Sequence, residues 1–429
     1  MKEEEYKGIT PLVSDMVDTL TDSEIRVIAG AIDAMISQGE RIFNLTIGDF
    51  NPEIFPIPQE FCEYVYKEYK NGKTNYPPLQ GEPPIRKVLS AYIKKRENLD
   101  YSPEEFFVGA GGRPVIFTYF MSSINPGDKV LVPVPSWNNN YYAHITKANM
   151  ITVETKPENN FMPKASDLEP HIKDAALLCL CSPSNPTGTT ISKEELNNIC
   201  ELVIEENKRR AKLNIRRLYV MYDQMYWQLT FGNTIHYNPV LVNPEMRRYT
   251  LFVDGMSKAF AGTGVRVGWG FSDKEVIDKM KNMFSHMGAF PPKPEQLAAA
   301  DYLQEDENVT RYLTKMRSEI KLRLEGIYEG FMKLKKAGYK VDAIAPQAAI
   351  YLTVQFDLFG KRMPDGTVIT ETPQITSYLL NDAKIGVVPF TAFGSEKNPS
   401  WYRISVGTLP QSEIKELIDN LEKSLSKLK

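Results

Sequence analysis

The spacing of apolar and polar positions sorts the chain into two kinds of segment. In Ser23-Glu24-Ile25-Arg26-Val27-Ile28-Ala29-Gly30-Ala31-Ile32-Asp33-Ala34-Met35 apolar residues recur at helical intervals, which predicts a packing helix. A second helix is predicted from Pro58 through Tyr69, and a third opens near Pro83-Pro84 and carries Ile85, Val88, Leu89 and Tyr92. From there the pattern changes. Short, nearly unbroken apolar runs read as buried strands at Phe106-Phe107-Val108, Lys129-Val130-Leu131-Val132, Ala176 to Cys181, Leu218 to Tyr222 and Thr250-Leu251-Phe252-Val253. Helical stretches separate them, from Val115 to Ile124 and from Lys193 to Ala211. Apolar strands alternating with helices predict an α/β fold with a mostly parallel sheet flanked by helices on both faces.

Composition narrows the range of functions. A chain of 429 residues is long enough for two or three domains. Basic residues (51) are scattered among 54 acidic ones, for a net charge of -3, so the electrostatic footprint of a nucleic-acid binder is missing. Cys62, Cys179, Cys181 and Cys200 are too few and too irregularly spaced for a disulfide framework, and no histidines accompany them to suggest a metal site. The acidic start, MKEEEYKGIT, lacks the apolar region of a signal peptide, and no apolar run is long enough to span a membrane. The expectation is a cytoplasmic protein with no membrane or nucleic-acid partner and no metal.

Unusual residues collect where the predicted strands end, which is where open parallel sheets bind ligands. One strand ends at Pro135-Ser136-Trp137, another at Asn185-Pro186-Thr187-Gly188, a third at Asp223-Gln224-Met225-Tyr226. The last delivers Ser257 and Lys258 into a loop with Gly262, Gly264 and Gly268 that holds Arg266. Ahead of these, Gly109-Ala110-Gly111-Gly112-Arg113 feeds a helix, a geometry suited to anions because free N–H groups and the helix dipole point the same way. Each residue alone has a structural explanation: Trp137 as core, Asn185 as a turn former, Asp223 as a cap, Tyr226 as packing. Together they offer a flat aromatic face, an amide, a carboxylate, a phenol and an amine. A heteroaromatic cofactor with a ring nitrogen, an aldehyde and a phosphate needs such a set.

These motifs, in this order, resemble the class I/II aminotransferases, the fold-type-I enzymes that use pyridoxal 5'-phosphate, and in particular bacterial aspartate aminotransferases. The resemblance spans the chain through Tyr76, GAGGR, PSW, NPTG, DxxY, SK, GVRVGW and WYRIS. It implies that Lys258 is the Schiff-base and proton-shuttling lysine and that Asp223 pairs with the ring nitrogen. Asn185 and Tyr226 would bind the ring oxygen, and Trp137 would stack on the ring. Gly111, Gly112, Arg113, Ser257 and Arg266 would hold the phosphate, with Tyr76 reaching in from a second subunit of a homodimer. Arg403 would bind the substrate α-carboxylate, and Gly48 would close over the substrate. The implied domains are residues 60–310 as the large cofactor domain and 311–429 as a small α+β domain that the N-terminal segment, 1–59, joins. The small domain begins with a helical run from Val309 to Lys336.

Two departures stand out. Gly255 occupies a position where relatives often carry a second phosphate-binding serine, and Asn140 one where some carry a histidine that supports the ring-binding aspartate. Arg113 is the candidate for a distal substrate carboxylate, which points to transamination between aspartate and 2-oxoglutarate. An aromatic or broad-range aminotransferase, a lyase of the same fold, and a cofactor-binding regulator are the alternatives. The amino-acid and 2-oxo-acid substrates are the only partners implied besides the second subunit.

Overall fold

A computed structural model describes residues 13–429. The acidic opening stretch and the start of the 1–59 segment lie outside the described residues. Thirteen strands are found among those described: β1 Phe43–Asn44, β2 Phe106–Gly109, β3 Lys129–Val134, β4 Asn149–Glu154, β5 Ala175–Cys181, β6 Tyr219–Asp223, β7 Thr250–Gly255, β8 Gly268–Phe271, β9 Val341–Ala343, β10 Tyr351–Phe356, β11 Ile385–Gly386, β12 Val388–Pro389 and β13 Trp401–Ser405.

Seven of them form one sheet in the order β2-β8-β7-β6-β5-β3-β4. All neighbours from β7 to β4 are parallel, whereas β8 runs antiparallel to both β2 and β7. The central strands are buried along nearly their whole length because helices cover both faces, which explains why they are apolar without alternation. Two of these strands were not anticipated. β4 is an edge strand whose residues are mostly half-exposed, so it lacks the continuous apolar signal. β8 is made from Gly268-Trp269-Gly270-Phe271, and its glycines conceal a strand in which Trp269 and Phe271 are fully buried. The stretch after Lys258 is therefore only in part a glycine loop.

The helices fall close to their predicted places, at Glu24–Ser37, Gln59–Lys70, Pro83–Glu97, Gly112–Ser123 and Lys193–Leu213. A second, four-stranded antiparallel sheet has the order β12-β13-β10-β9. Its apolar cluster includes Phe43, Leu45, Phe50 and Phe55 from early in the chain, and β1 pairs in parallel with β11. A 31-residue helix, Asp306–Lys336, connects the two cores. Val309 and Leu313 pack with the large-sheet cluster, and Met316, Ile320, Leu324 and Ile327 with the other. The division expected between 310 and 311 thus falls inside a continuous helix, near its start. No helix among the described residues is long and apolar enough to cross a membrane.

Candidate active site

The carboxyl ends of β3, β5, β6 and β7 open onto a cavity of about 980 Å³. Eleven of the thirteen residues singled out from the sequence line it: Gly48, Gly112, Arg113, Trp137, Asn185, Asp223, Tyr226, Ser257, Lys258, Arg266 and Arg403. Parallel strands bring their ends to one edge of the sheet, so residues more than a hundred positions apart converge there.

Lys258 is third in a single helical turn, Met256–Ala259, that follows β7 directly. Its Nζ donates to the carbonyl oxygen of Gly48 at 2.5 Å. Burial pushes the amine down to about 8; Asp49 opposes that shift, while the cations Arg403, Arg113 and Arg266 add to it. Asp223 shifts the opposite way. Burial raises its carboxyl to about 6, against the restraining effects of the Met225 N–H, which donates to Oδ1 at 3.0 Å, and of the charge on Lys258. Both groups are held away from their ordinary values because charged forms lose solvation in an enclosed site.

Arg403 projects from β13 and is only 2% exposed. Its Nη1 donates to Asn185 Oδ1 at 3.0 Å and its Nη2 to the Thr46 carbonyl at 2.6 Å, while Nε has no partner. The guanidinium lies 4.7 Å from the ring centre of Tyr351 and 4.9 Å from that of Phe393. A planar cation with donors to spare, walled by aromatic rings, is suited to a carboxylate. Because Asn185 Oδ1 accepts from Arg403, its Nδ2 is left as the donor that faces the cavity.

Arg266, also in the cavity wall, adopts a left-handed backbone conformation (φ 61°) rarely seen outside glycine. That strain directs its guanidinium to the Thr263 carbonyl at 2.5 Å and the Ala110 carbonyl at 2.8 Å. Gly111 also has positive φ (91°), and a Cβ there would lie 2.3 Å from Arg266 Nη2. Gly255 and Gly268 are register partners across β7 and β8, and a Cβ on Gly268 would come within 2.5 Å of the Gly111 backbone. A Cβ on Gly255 would in turn lie 2.9 Å from Gly268 Cα. Glycine at 255, where relatives often have serine, is thus required by close strand packing. The cradle so formed has Arg266 on one side and the first amides of the helix Gly112–Ser123 on the other, and those amides lack helical acceptors.

The cavity suits a dianionic phosphate joined to a basic aromatic ring. Five cationic side chains line it against three acidic ones, Arg403 Nε is without a partner, and Lys258 is the cation whose charge acts on the half-buried Asp223 carboxyl. The residues present therefore fit pyridoxal 5'-phosphate. Among the described residues no group of three or more His, Cys, Asp or Glu could hold a metal ion.

Some placements differ from expectation. Tyr76 is 89% exposed and lies outside the cavity of its own chain. Gly111 does not line the cavity either, since its N–H donates to the Gly109 carbonyl at 2.6 Å; the amides available to an anion are those of Gly112 and Arg113. The Arg113 guanidinium stacks over the Trp137 ring at 4.7 Å. Asn140 is exposed and lends Asp223 no support. Lys258 belongs to a helical turn and not to a loop.

Three contributors were missed. Tyr351 Oη lies 2.7 Å from Tyr226 Oη, and Asp49 Oδ1 accepts from Thr263 Oγ1 at 2.7 Å beside Lys258. Leu20 to Ser23 and Arg26 form part of the cavity wall. Asp49 could have been suspected, because it follows Gly48 in an apolar segment. Tyr351 could not, because only its neighbour in register, the pairing of Thr353 with Arg403, shows which way β10 faces.

A family model for aminotransferase class I and II matches residues 40–421. A protein of Rickettsia conorii named "Probable aspartate/prephenate aminotransferase" is 30% identical over 387 residues, covering 89% of this chain and 90% of that one. The solved aspartate aminotransferase from Rhizobium meliloti superposes with a TM-score of 0.88 at 26% identity, covering 97% of this chain and 99% of its own. The aspartate aminotransferase from Thermus thermophilus with maleate gives 0.84 at 26% identity, covering 96% and 99%.

Proposed function

The chain belongs to the class I and II aminotransferases and is a pyridoxal 5'-phosphate enzyme, and from that premise we propose that it moves an amino group between aspartate and 2-oxoglutarate. The observation that carries this reading is a single cavity in which Lys258 shares the wall with two arginines, Arg403 and Arg113, whose charges both act on its amine. A four-carbon dicarboxylate has one carboxylate for each. Relatives named for aspartate, one of them solved with the dicarboxylate maleate, support the assignment.

When bound, the cofactor supplies an electron sink that makes the Cα–H bond of an amino acid labile. The chain's own residues do the rest. Arg403 takes the α-carboxylate through a forked pair of hydrogen bonds and fixes which face of Cα meets Lys258. With its pKa pushed down to about 8, Lys258 Nζ is near the value at which an amine both accepts and returns a proton at neutral pH, and we assign it that task at Cα. Asp223 would hold the ring nitrogen in its protonated form, Tyr226 and Asn185 would hold the ring oxygen, and Trp137 would cover the ring face. Arg266, Ser257 and the Gly112 and Arg113 amides would hold the phosphate.

In this reading the enzyme is a cytoplasmic homodimer, and Tyr76 of the partner subunit completes the phosphate site, which accounts for an aromatic residue left exposed in the single chain. Residues 60–310 form the cofactor domain, and 311–429 with the N-terminal segment form a part that closes over substrate. A broader substrate range is favoured by one observation: the cavity wall that includes Arg113 also includes the apolar side chains Ile116, Phe117 and Met287. Steady-state assays of aspartate, tyrosine and alanine with 2-oxoglutarate test both. Aspartate is expected to be the best donor, with Arg113→Ala erasing its advantage over alanine. An unchanged preference in that variant would remove Arg113 from the site.

A further inference from the structure

The turn that carries Tyr226, and whose Met225 N–H donates to the carboxylate of Asp223 at the end of β6, is gripped from outside the cavity by a buried polar cluster. After β6 the chain makes a tight turn, Gln224 to Trp227, closed by a hydrogen bond from the Trp227 N–H to the Gln224 carbonyl at 2.9 Å. Its two middle residues, Met225 and Tyr226, line the cavity, whereas the two corner residues do not. Each corner side chain is held by a buried carboxyl. Gln224, 0% exposed, donates Nε2 to Glu97 Oε1 at 2.7 Å, and Trp227 donates Nε1 to Asp254 Oδ2 at 2.8 Å.

Glu97 closes the helix Pro83–Glu97 and is 7% exposed. Its second oxygen accepts from Asn238 Nδ2 at 3.3 Å and faces His236 Nε2 at 3.7 Å. Asp254, on β7 and four residues before Lys258, also accepts from the Gly255 N–H at 2.7 Å. Burial, followed by the charge of Glu97, pushes its carboxyl well above the ordinary range. An acidic pair enclosed without a lysine or arginine partner is unfavourable for folding alone. Nothing in the proposed chemistry uses it directly.

We propose that Glu97 is a positioning residue: through Gln224 it fixes the turn that aims Asp223 and Tyr226 at the cofactor. The two oxygens of Glu97 accept from the Gln224 and Asn238 amides at once, which sets the orientation of both. Loss of that grip frees one corner of the turn while the other stays tied to Asp254. Asp223 and Tyr226 would then turn away from the positions in which they would meet the cofactor ring, although neither is altered.

The inference rests on the roles proposed above for Asp223 and Tyr226, and the test separates the two. Cofactor-loaded Glu97→Ala, Glu97→Gln, Gln224→Ala and Asp223→Asn enzymes are compared for kcat, KM, Tm and the pH midpoint of the bound cofactor's absorbance change. Glu97→Ala and Gln224→Ala are each expected to lower kcat about tenfold or more with KM changed by less than about twofold, and to move the midpoint by about half a pH unit or more. Glu97→Gln is expected to fall between the parent and Glu97→Ala, because its Oε1 can still accept from Gln224 Nε2 whereas its amide group can no longer accept from Asn238 Nδ2. A lower Tm in Glu97→Ala with kcat and midpoint intact would reduce Glu97 to a structural role and overturn the proposal. Should Glu97→Ala fail to fold, Gln224→Ala decides by the same readouts. If Asp223→Asn leaves the midpoint in place, the assigned role of Asp223 falls and this inference with it. If Asp223→Asn moves the midpoint and Gln224→Ala does not, the positioning role alone falls.

Discussion

Asp223→Asn is expected to make the cofactor-free protein more stable while disabling the enzyme. The carboxyl titrates near 3.8 in an unfolded chain and at about 6 in the folded one, chiefly because of burial. Between those values the folded state holds the proton more tightly, so stability falls as pH rises through the window and the full penalty remains above it. The difference corresponds to at most about 3 kcal/mol at neutral pH, and nearer 1 to 2 kcal/mol once water in the open cavity screens the charge. Asparagine has nearly the same shape and carries no charge, so the penalty disappears. Urea unfolding of the cofactor-free parent and variant, at pH 4 and pH 7.5, measures it. The variant should gain stability at pH 7.5 and little at pH 4, while binding the cofactor more weakly and losing most of its activity. Equal stability of the two proteins at pH 7.5 would refute the argument that Asp223 is held at a cost until a cationic partner arrives.

Other expectations follow from the same geometry. Lys258 has its pKa lowered from 10.5 to about 8, so in the cofactor-free protein the unfolded state binds more protons across that window and stability should rise with pH there by up to about 3 kcal/mol. Lys258→Met should flatten that rise in unfolding curves measured from pH 7.5 to 10.5. Gly268→Ala drives a Cβ into the backbone of Gly111 and Gly112, which should cost about 1 to 3 kcal/mol and weaken cofactor binding, as read by Tm and by absorbance titration. Arg403→Ala removes two charge-assisted hydrogen bonds from a buried site and should lower kcat/KM for the amino acid by at least about a hundredfold, mostly through KM, with cofactor affinity little changed.

What the sequence by itself determined was the set of elements whose signal is local. Buried parallel strands are apolar throughout because both faces are covered, so β3, β5, β6 and β7 announce themselves, and the residues at their ends stand out by contrast. The family resemblance named the cofactor and eleven of the residues that now line one cavity. Other features had no local signal. β8 is disguised by Gly268 and Gly270, which are there because neighbouring backbones and the Tyr119 hydroxyl leave no room for a side chain. Tyr351 reaches Tyr226 only because β10 pairs in one register with β13. The pKa shifts of Lys258 and Asp223 depend on burial and on charges from distant segments, Asp49 and Arg403 among them. Local pattern records what each residue prefers. Which partners surround it, and therefore how its charge behaves, is decided when segments far apart in the chain close around the same space.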